Sequence, residues 1–113
     1  LQLLGYDWQP VANGVRIDLH WAVREKLPTD YTSTVQLLDA NDEKIAQDDH
    51  RPGGVYYPTS RWKPGETLLD SHVITLPTHQ QPTTLLVGMY EGPDFAPLAP
   101  PLRIRLASLT LNH

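Results

Sequence analysis

The stretch at residues 15–23 constrains the fold more than any other feature of this chain. Val15, Ile17, Leu19, Trp21 and Val23 are apolar, and Arg16, Asp18, His20 and Ala22 stand between them. Apolar residues at a spacing of two put every large side chain on one face of an extended strand, with Trp21 directed into a core. A helix does not reproduce that pattern, because its apolar face recurs every three or four residues. Asn13-Gly14 just before it is a hairpin signal, so residues 1–6 are expected to form the preceding strand.

The same alternation recurs along the chain. Tyr31, Ser33, Val35 and Leu37 share one face of a strand at residues 31–38, and Asp39-Ala-Asn-Asp-Glu43 reads as a hairpin turn into a short strand at residues 44–47. A strand pattern returns at residues 67–76 and stops at Pro77. After a polar link, residues 83–90 place Leu85, Val87 and Met89 on a common face, and Glu91-Gly-Pro-Asp94 reads as a turn. Leu102, Ile104 and Leu106 alternate with Arg103 and Arg105 in the last main strand, with Leu109 and Leu111 as candidates to extend it. Residues 48–65 hold six Pro or Gly residues and are expected to be a loop. Eleven prolines in the whole chain disfavour long helices. Short strands spaced by about 8–12 residues point to an all-β fold, an antiparallel two-sheet β-sandwich of immunoglobulin-like or jelly-roll type.

Composition bounds the function classes. With 113 residues the chain fits a single domain, residues 1–113, large enough for a core without staples. The absence of cysteine removes disulfides, thiolate nucleophiles and cysteine-ligated zinc together. A net charge of −4 offers no basic stripe, so nucleic acid is not an expected partner. No apolar run approaches the roughly 20 residues a spanning helix needs, so no membrane insertion by this domain is expected. The start, Leu1-Gln-Leu-Leu-Gly5, has neither an initiator Met nor a cationic leader, and reads as a piece excised from a longer protein.

Few residues look chemical. The histidines lack the spacing of a zinc motif such as H-E-x-x-H, and His20 falls on the solvent face of its strand while His50, His79 and His113 fall in loops or at the terminus. Asp39, Asn41 and Glu43 resemble the opening of a calcium loop, but Lys44 and His50 occupy the positions that need Gly and Glu. A turn accounts for the same residues. Asp70 and His72 lie two apart on the apolar side of their strand, with Leu68, Ile74 and Leu76. Either a bulge re-aims them or they are buried and satisfied by a partner such as Arg61 or a backbone group; an acid/base role would need a nucleophile or second carboxylate that the sequence does not identify. Tyr56, Tyr57 and Trp62 crowd one Pro/Gly-rich loop. Aromatic rings there could stack on sugar faces while Arg61, Asp70 or His72 bond hydroxyls; alternatively Trp62 folds back as a lid on the sandwich. The ligand-binding candidates are therefore Tyr56, Tyr57, Arg61, Trp62, Asp70 and His72. No catalytic residue, metal or cofactor is expected, and neither a G-x-S-x-G motif nor a phosphate-binding glycine loop is present.

Tyr57-Pro-Thr-Ser-Arg-Trp62-Lys-Pro-Gly-Glu66, followed by Asp70-Ser-His72 and Leu76-Pro77, forms one extended string. With Leu3-Leu-Gly-Tyr6, Leu19-His-Trp21, Val35-Gln-Leu-Leu-Asp39 and Val87-Gly-Met-Tyr90 it covers nearly the whole chain. The ensemble resembles the C-terminal β-sandwich domain of large bacterial membrane proteins, Chloroflexi ones among them, that are similar to dolichyl-phosphate-mannose-dependent glycosyltransferases. The resemblance implies a position on the extracytoplasmic face of a bacterial membrane, after a multi-helix membrane part that carries any transferase chemistry. It implies a non-catalytic accessory domain whose partner is a glycan or the membrane part of the same polypeptide. The competing expectation is a structural or protein–protein interaction sandwich with no small-molecule ligand. Glu91-Gly-Pro-Asp-Phe95 is only similar to the hairpin of the resembled domain, and residues 109–113 have no counterpart in it.

Overall fold

Alternating strands can bury their apolar faces only against another layer, and the chain does so with two antiparallel sheets. The computed structural model describes residues 1–77, 80–92 and 96–106. Its strands are β1 (Gln2–Val11), β2 (Gly14–Ala22), β3 (Thr32–Leu38), β4 (Lys44–His50), β5 (Thr67–Thr75), β6 (Thr84–Glu91), β7 (Ala96–Pro97) and β8 (Leu102–Arg105), with a single 3-10 turn at Thr59–Arg61 and no α-helix among the described residues. One sheet has the order β1-β2-β5. The other runs β4-β3-β6, with β7 and β8 both pairing the far side of β6. The fourth strand is carried on the sheet of β3 and β6, and the fifth crosses back to pair with β2.

The strand alternation translates into burial residue by residue. Val15, Ile17, Leu19 and Trp21 of β2 meet Val35 and Leu37 of β3 and Leu85, Val87 and Met89 of β6 in one apolar cluster. Asn13 takes a positive φ of 62° in the turn before β2, and Gly14 follows because a Cβ there would fall 2.0 Å from the Ile74 carbonyl oxygen. The turn at residues 39–43 closes as expected: the Asp39 N–H donates to Glu43 O at 2.9 Å, and the Asp39 carboxylate accepts from the N–H groups of Asn41 and Glu43. Those residues serve the hairpin.

Three expectations shift. β1 extends to Val11, well beyond the alternation near the N-terminus, because its far half pairs with the start of β2. β4 does not stop at Gln47 but continues through Asp48 and Asp49 to His50, opposite Ser33 of β3. Its inward residues there are polar, so the hydrophobic alternation that marks a strand is missing. Leu102 is exposed although it begins the alternation of β8, because β8 is a short edge strand whose outer end has no covering layer among the described residues. His79, His113, Leu109, Leu111 and part of the turn at residues 91–94 lie outside the described residues.

Candidate functional site

β4 is the edge of one sheet and β5 the edge of the other, and the two edges approach each other. At that seam the inward side chains are Asp48 and His50 from β4, Asp70 and His72 from β5, and Ser33 from β3. The period-two geometry of the strands puts each pair, two residues apart, on the same face. His72 and Ser33 are fully buried and Asp70 is 3% exposed, while the side chains of Asp48 and His50 remain 31% and 34% accessible.

The hydrogen bonds form one continuous network. His50 Nε2 lies 2.6 Å from Asp70 Oδ1. Asp70 Oδ2 accepts from Ser33 Oγ at 2.5 Å and from the Trp21 indole at 3.3 Å. Because the Ser33 hydroxyl proton goes to Asp70, His72 Nε2 donates to Ser33 Oγ at 2.9 Å, with Asp70 Oδ2 also 3.2 Å away. On the opposite ring edges, His72 Nδ1 is 2.7 Å and His50 Nδ1 is 3.1 Å from Asp48 Oδ2. The two imidazoles are stacked, with centroids 4.0 Å apart.

Charge follows this geometry. Burial pushes the Asp70 carboxyl up, but the hydrogen bond and charge of His72, with the bonds from Ser33 and His50, outweigh it and hold the group at about 2. Burial alone would push His72 down, yet its bonds to Asp70 and Asp48 raise it above its ordinary value. The two shifts agree on an Asp70 carboxylate facing a His72 that favours its charged form.

No bulge re-aims Asp70 and His72, since β5 pairs with β2 in continuous register; they are buried and satisfied, and their partners are Ser33, His50, Asp48 and Trp21 rather than Arg61. Arg61 donates instead to the Tyr56 carbonyl at the surface. The nucleophile-type residue and second carboxylate that the sequence leaves unidentified are both present, as Ser33 and Asp48. The sequence conceals them because Ser33 reads as one more inward position of β3 and Asp48 as the start of a loop. The order Ser33 Oγ–His72 Nε2 and His72 Nδ1–Asp48 Oδ2 follows the connectivity of a hydrolase triad. Ser33, however, has no exposed surface through which an acyl group could be presented.

The aromatic loop is a separate structure. Trp62 has no exposed surface and belongs to the core cluster, and its indole N–H donates to the Tyr57 carbonyl at 2.8 Å. Thr59 fixes the loop beneath it by donating to Thr29 O at 2.7 Å and accepting from the Tyr31 N–H at 2.8 Å. Gly53, at a φ of 81°, lets the chain pass so close that a Cβ would lie 2.0 Å from Tyr57 O and 3.4 Å from Trp62 Nε1. The Tyr57 hydroxyl donates to Glu66, which raises the phenol and lowers the carboxyl. Tyr56, by contrast, is 87% exposed. The six candidates therefore divide: Trp62, Asp70 and His72 are interior groups, and Tyr56, Tyr57 and Arg61 reach the surface. Concave surface occurs elsewhere, in a groove of about 290 Å³ on the outer face of the β4-β3-β6 sheet, walled by Gln36, Gln47, Asp49, Tyr90, Pro97 and Pro101 among others. No described helix is long and apolar enough to cross a membrane. Comparison with models of protein families, with curated proteins and with solved structures gives no match to this chain.

Proposed function

We propose that this chain is a non-catalytic structural or protein–protein interaction module, a sandwich that serves as spacer or assembly surface. The observation that carries this reading is the burial of Trp62. The ring that would floor a sugar site is a plug in the core, and its one polar atom is already satisfied within its own loop. The Ser33–His72–Asp48 arrangement supports the same reading, because a buried serine whose hydroxyl is committed to Asp70 joins the two sheets instead of meeting a substrate. In the setting that the residue strings imply, the module would stand outside the cytoplasm beside the membrane part of a glycosyltransferase-like protein and dock on it. Iodide or acrylamide quenching of the tryptophans tests the reading. A Trp62→Phe variant that loses an unquenchable emission component supports it; a Trp62 component quenched as readily as free indole refutes it.

A second reading, carbohydrate binding, is favoured by one observation. The groove on the outer sheet face combines the amides of Gln36 and Gln47 with the Asp49 carboxylate and the Tyr90 ring, groups suited to bonding hydroxyls. Titration with bacterial envelope oligosaccharides, followed by amide NMR, separates the two readings. Shifts confined to β3, β4 and β6 around Gln47 and Tyr90 would install the carbohydrate reading, and an unchanged spectrum would leave the interaction module standing.

A further inference from the structure

All four ring nitrogens of His50 and His72 face carboxylate oxygens. Asp70 takes the two Nε2 edges, at 2.6 Å directly from His50 and through Ser33 and at 3.2 Å from His72. Asp48 Oδ2 alone takes the two Nδ1 edges, at 3.1 and 2.7 Å. Two neutral imidazoles carry only two ring protons. If Asp70 holds both on Nε2, both Nδ1 lone pairs point at a carboxylate oxygen, which is repulsive. Filling every contact with protons instead requires two imidazolium rings stacked at 4.0 Å, which sets like charges face to face. With one ring charged, the two aspartates and two histidines still leave a net charge of −1, and one of the four ring nitrogens still has no proton to place in its contact.

We propose that Asp48 Oδ2, His50 Nδ1 and His72 Nδ1 form a binding site for a divalent transition-metal ion, zinc being the best match. One such ion satisfies both lone pairs and the Asp48 oxygen together, and it balances the charge of the two carboxylates. The three ligand atoms already lie within 4.8 Å of one another. Around zinc, at bond lengths of about 2.0–2.1 Å, tetrahedral ligand atoms sit about 3.3 Å apart. The Asp48 oxygen, at 2.7 Å from His72 Nδ1 and 3.1 Å from His50 Nδ1, therefore has to withdraw by about half an ångström from the first and less from the second, and its partly exposed side chain on an edge strand has that freedom. Asp70 is the outer partner: by accepting the Nε2 protons it fixes the tautomer that leaves each Nδ1 lone pair free for the ion. Two imidazoles and a carboxylate, with no thiolate in the chain, suit zinc better than a soft monovalent ion. Because the Asp48–His50 side is the accessible side of the seam, the fourth position faces water or a ligand atom from outside. The ion would clip β4 to β5 and so join the two sheets, going beyond the module reading without depending on it.

Titration of the metal-free chain with zinc chloride, and separately with cobalt chloride, tests the site, together with the variants Asp48→Asn and His50→Gln. These side chains are partly exposed, so both variants retain the sandwich, which circular dichroism verifies. The expected result is one zinc per chain, a Tm that rises with zinc concentration, and tetrahedral cobalt absorption bands of reduced intensity in both variants. Nitrogen-15 spectra of the imidazoles should show zinc shifting Nδ1 of both rings while Nε2 keeps its proton. Zinc binding with unchanged affinity in both variants, or bound cobalt without a shift at either Nδ1, overturns the proposal. So does a chain that leaves both rings doubly protonated at neutral pH with zinc in excess.

Discussion

His50 and His72 stack face to face with ring planes inclined by 26°, one ring from each sheet of the sandwich. Around these rings a polar network joins β4 to β5, where apolar packing joins the sheets elsewhere. Its members are sensitive to pH and to truncation in ways that can be measured.

Asp70 ties the acid stability of the fold to one carboxyl. Its folded value of about 2 lies below the ordinary 3.8. A depressed carboxyl stabilises the fold above its unfolded value and loses that contribution as pH falls through the folded one. Wild type should therefore lose roughly 2 kcal/mol between about pH 5 and pH 2 from this group, since a tenfold change in proton affinity corresponds to about 1.4 kcal/mol. His72, raised above 6.5, contributes with the opposite sign: fully below 6.5, and lost as pH rises through its folded value. Urea denaturation of wild type and Asp70→Asn in chelator at a series of pH values checks this. The gap between them should be widest at about pH 4–6.5, where both contributions are present, and should narrow toward about pH 2.

Removing Ser33 isolates the donor that bridges the two sheets. Ser33→Ala leaves the buried Asp70 carboxylate short of its 2.5 Å hydrogen bond, and should cost about 1–3 kcal/mol in a denaturant titration. On the non-catalytic reading, hydrolysis of an activated ester by the folded variant should equal that by wild type. A loss of turnover in Ser33→Ala would instead assign the serine a chemical role.

Trp62 and Gly53 form one construction, and each should be costly to alter. Trp62→Ala empties a fully buried site and should destabilise by about 3–5 kcal/mol. Gly53→Ala forces a Cβ against the Tyr57 carbonyl that accepts the Trp62 indole proton, so it should both lower Tm and shift tryptophan emission. Emission unchanged at full stability would mean that the loop is not held by this contact.

Tyr56 provides the contrast. It lies in the same loop but is 87% exposed, so Tyr56→Ser should change stability by no more than about 0.5 kcal/mol. If the module docks on a partner through this loop, the variant should weaken that association while leaving Tm in place. Co-purification with a binding partner against a Tm measurement distinguishes the two effects.

The two-sheet β-sandwich was legible because β2, β3 and β6 carry inward apolar residues at a period of two, and the burial of β5 alternates in the same way, with Leu68 and Ile74 inward and Leu69 and Val73 outward. The inward placement of Asp70 and His72 was legible for the same reason. β4 beyond Gln47 was not, since Asp48 and His50 occupy core-facing positions with polar side chains and break the apolar pattern that a sequence displays. Trp62 in a Pro/Gly-rich loop left a lid, the favoured reading, and a sugar platform both open; the choice depended on whether Thr59 would anchor the loop against Thr29 and Tyr31, about thirty residues away in sequence.

By itself, then, the sequence determined the local periods, the turns at Asn13-Gly14 and Asp39–Glu43, and which face of β2, β3, β5 and β6 is inward. Only the tertiary structure decided that β4 and β5 would meet. Strand edges carry no mark of which other edge they will face, because that depends on the packing of two whole sheets. Ser33, Asp48, His50, Asp70 and His72, drawn from three strands, become one network only at that seam.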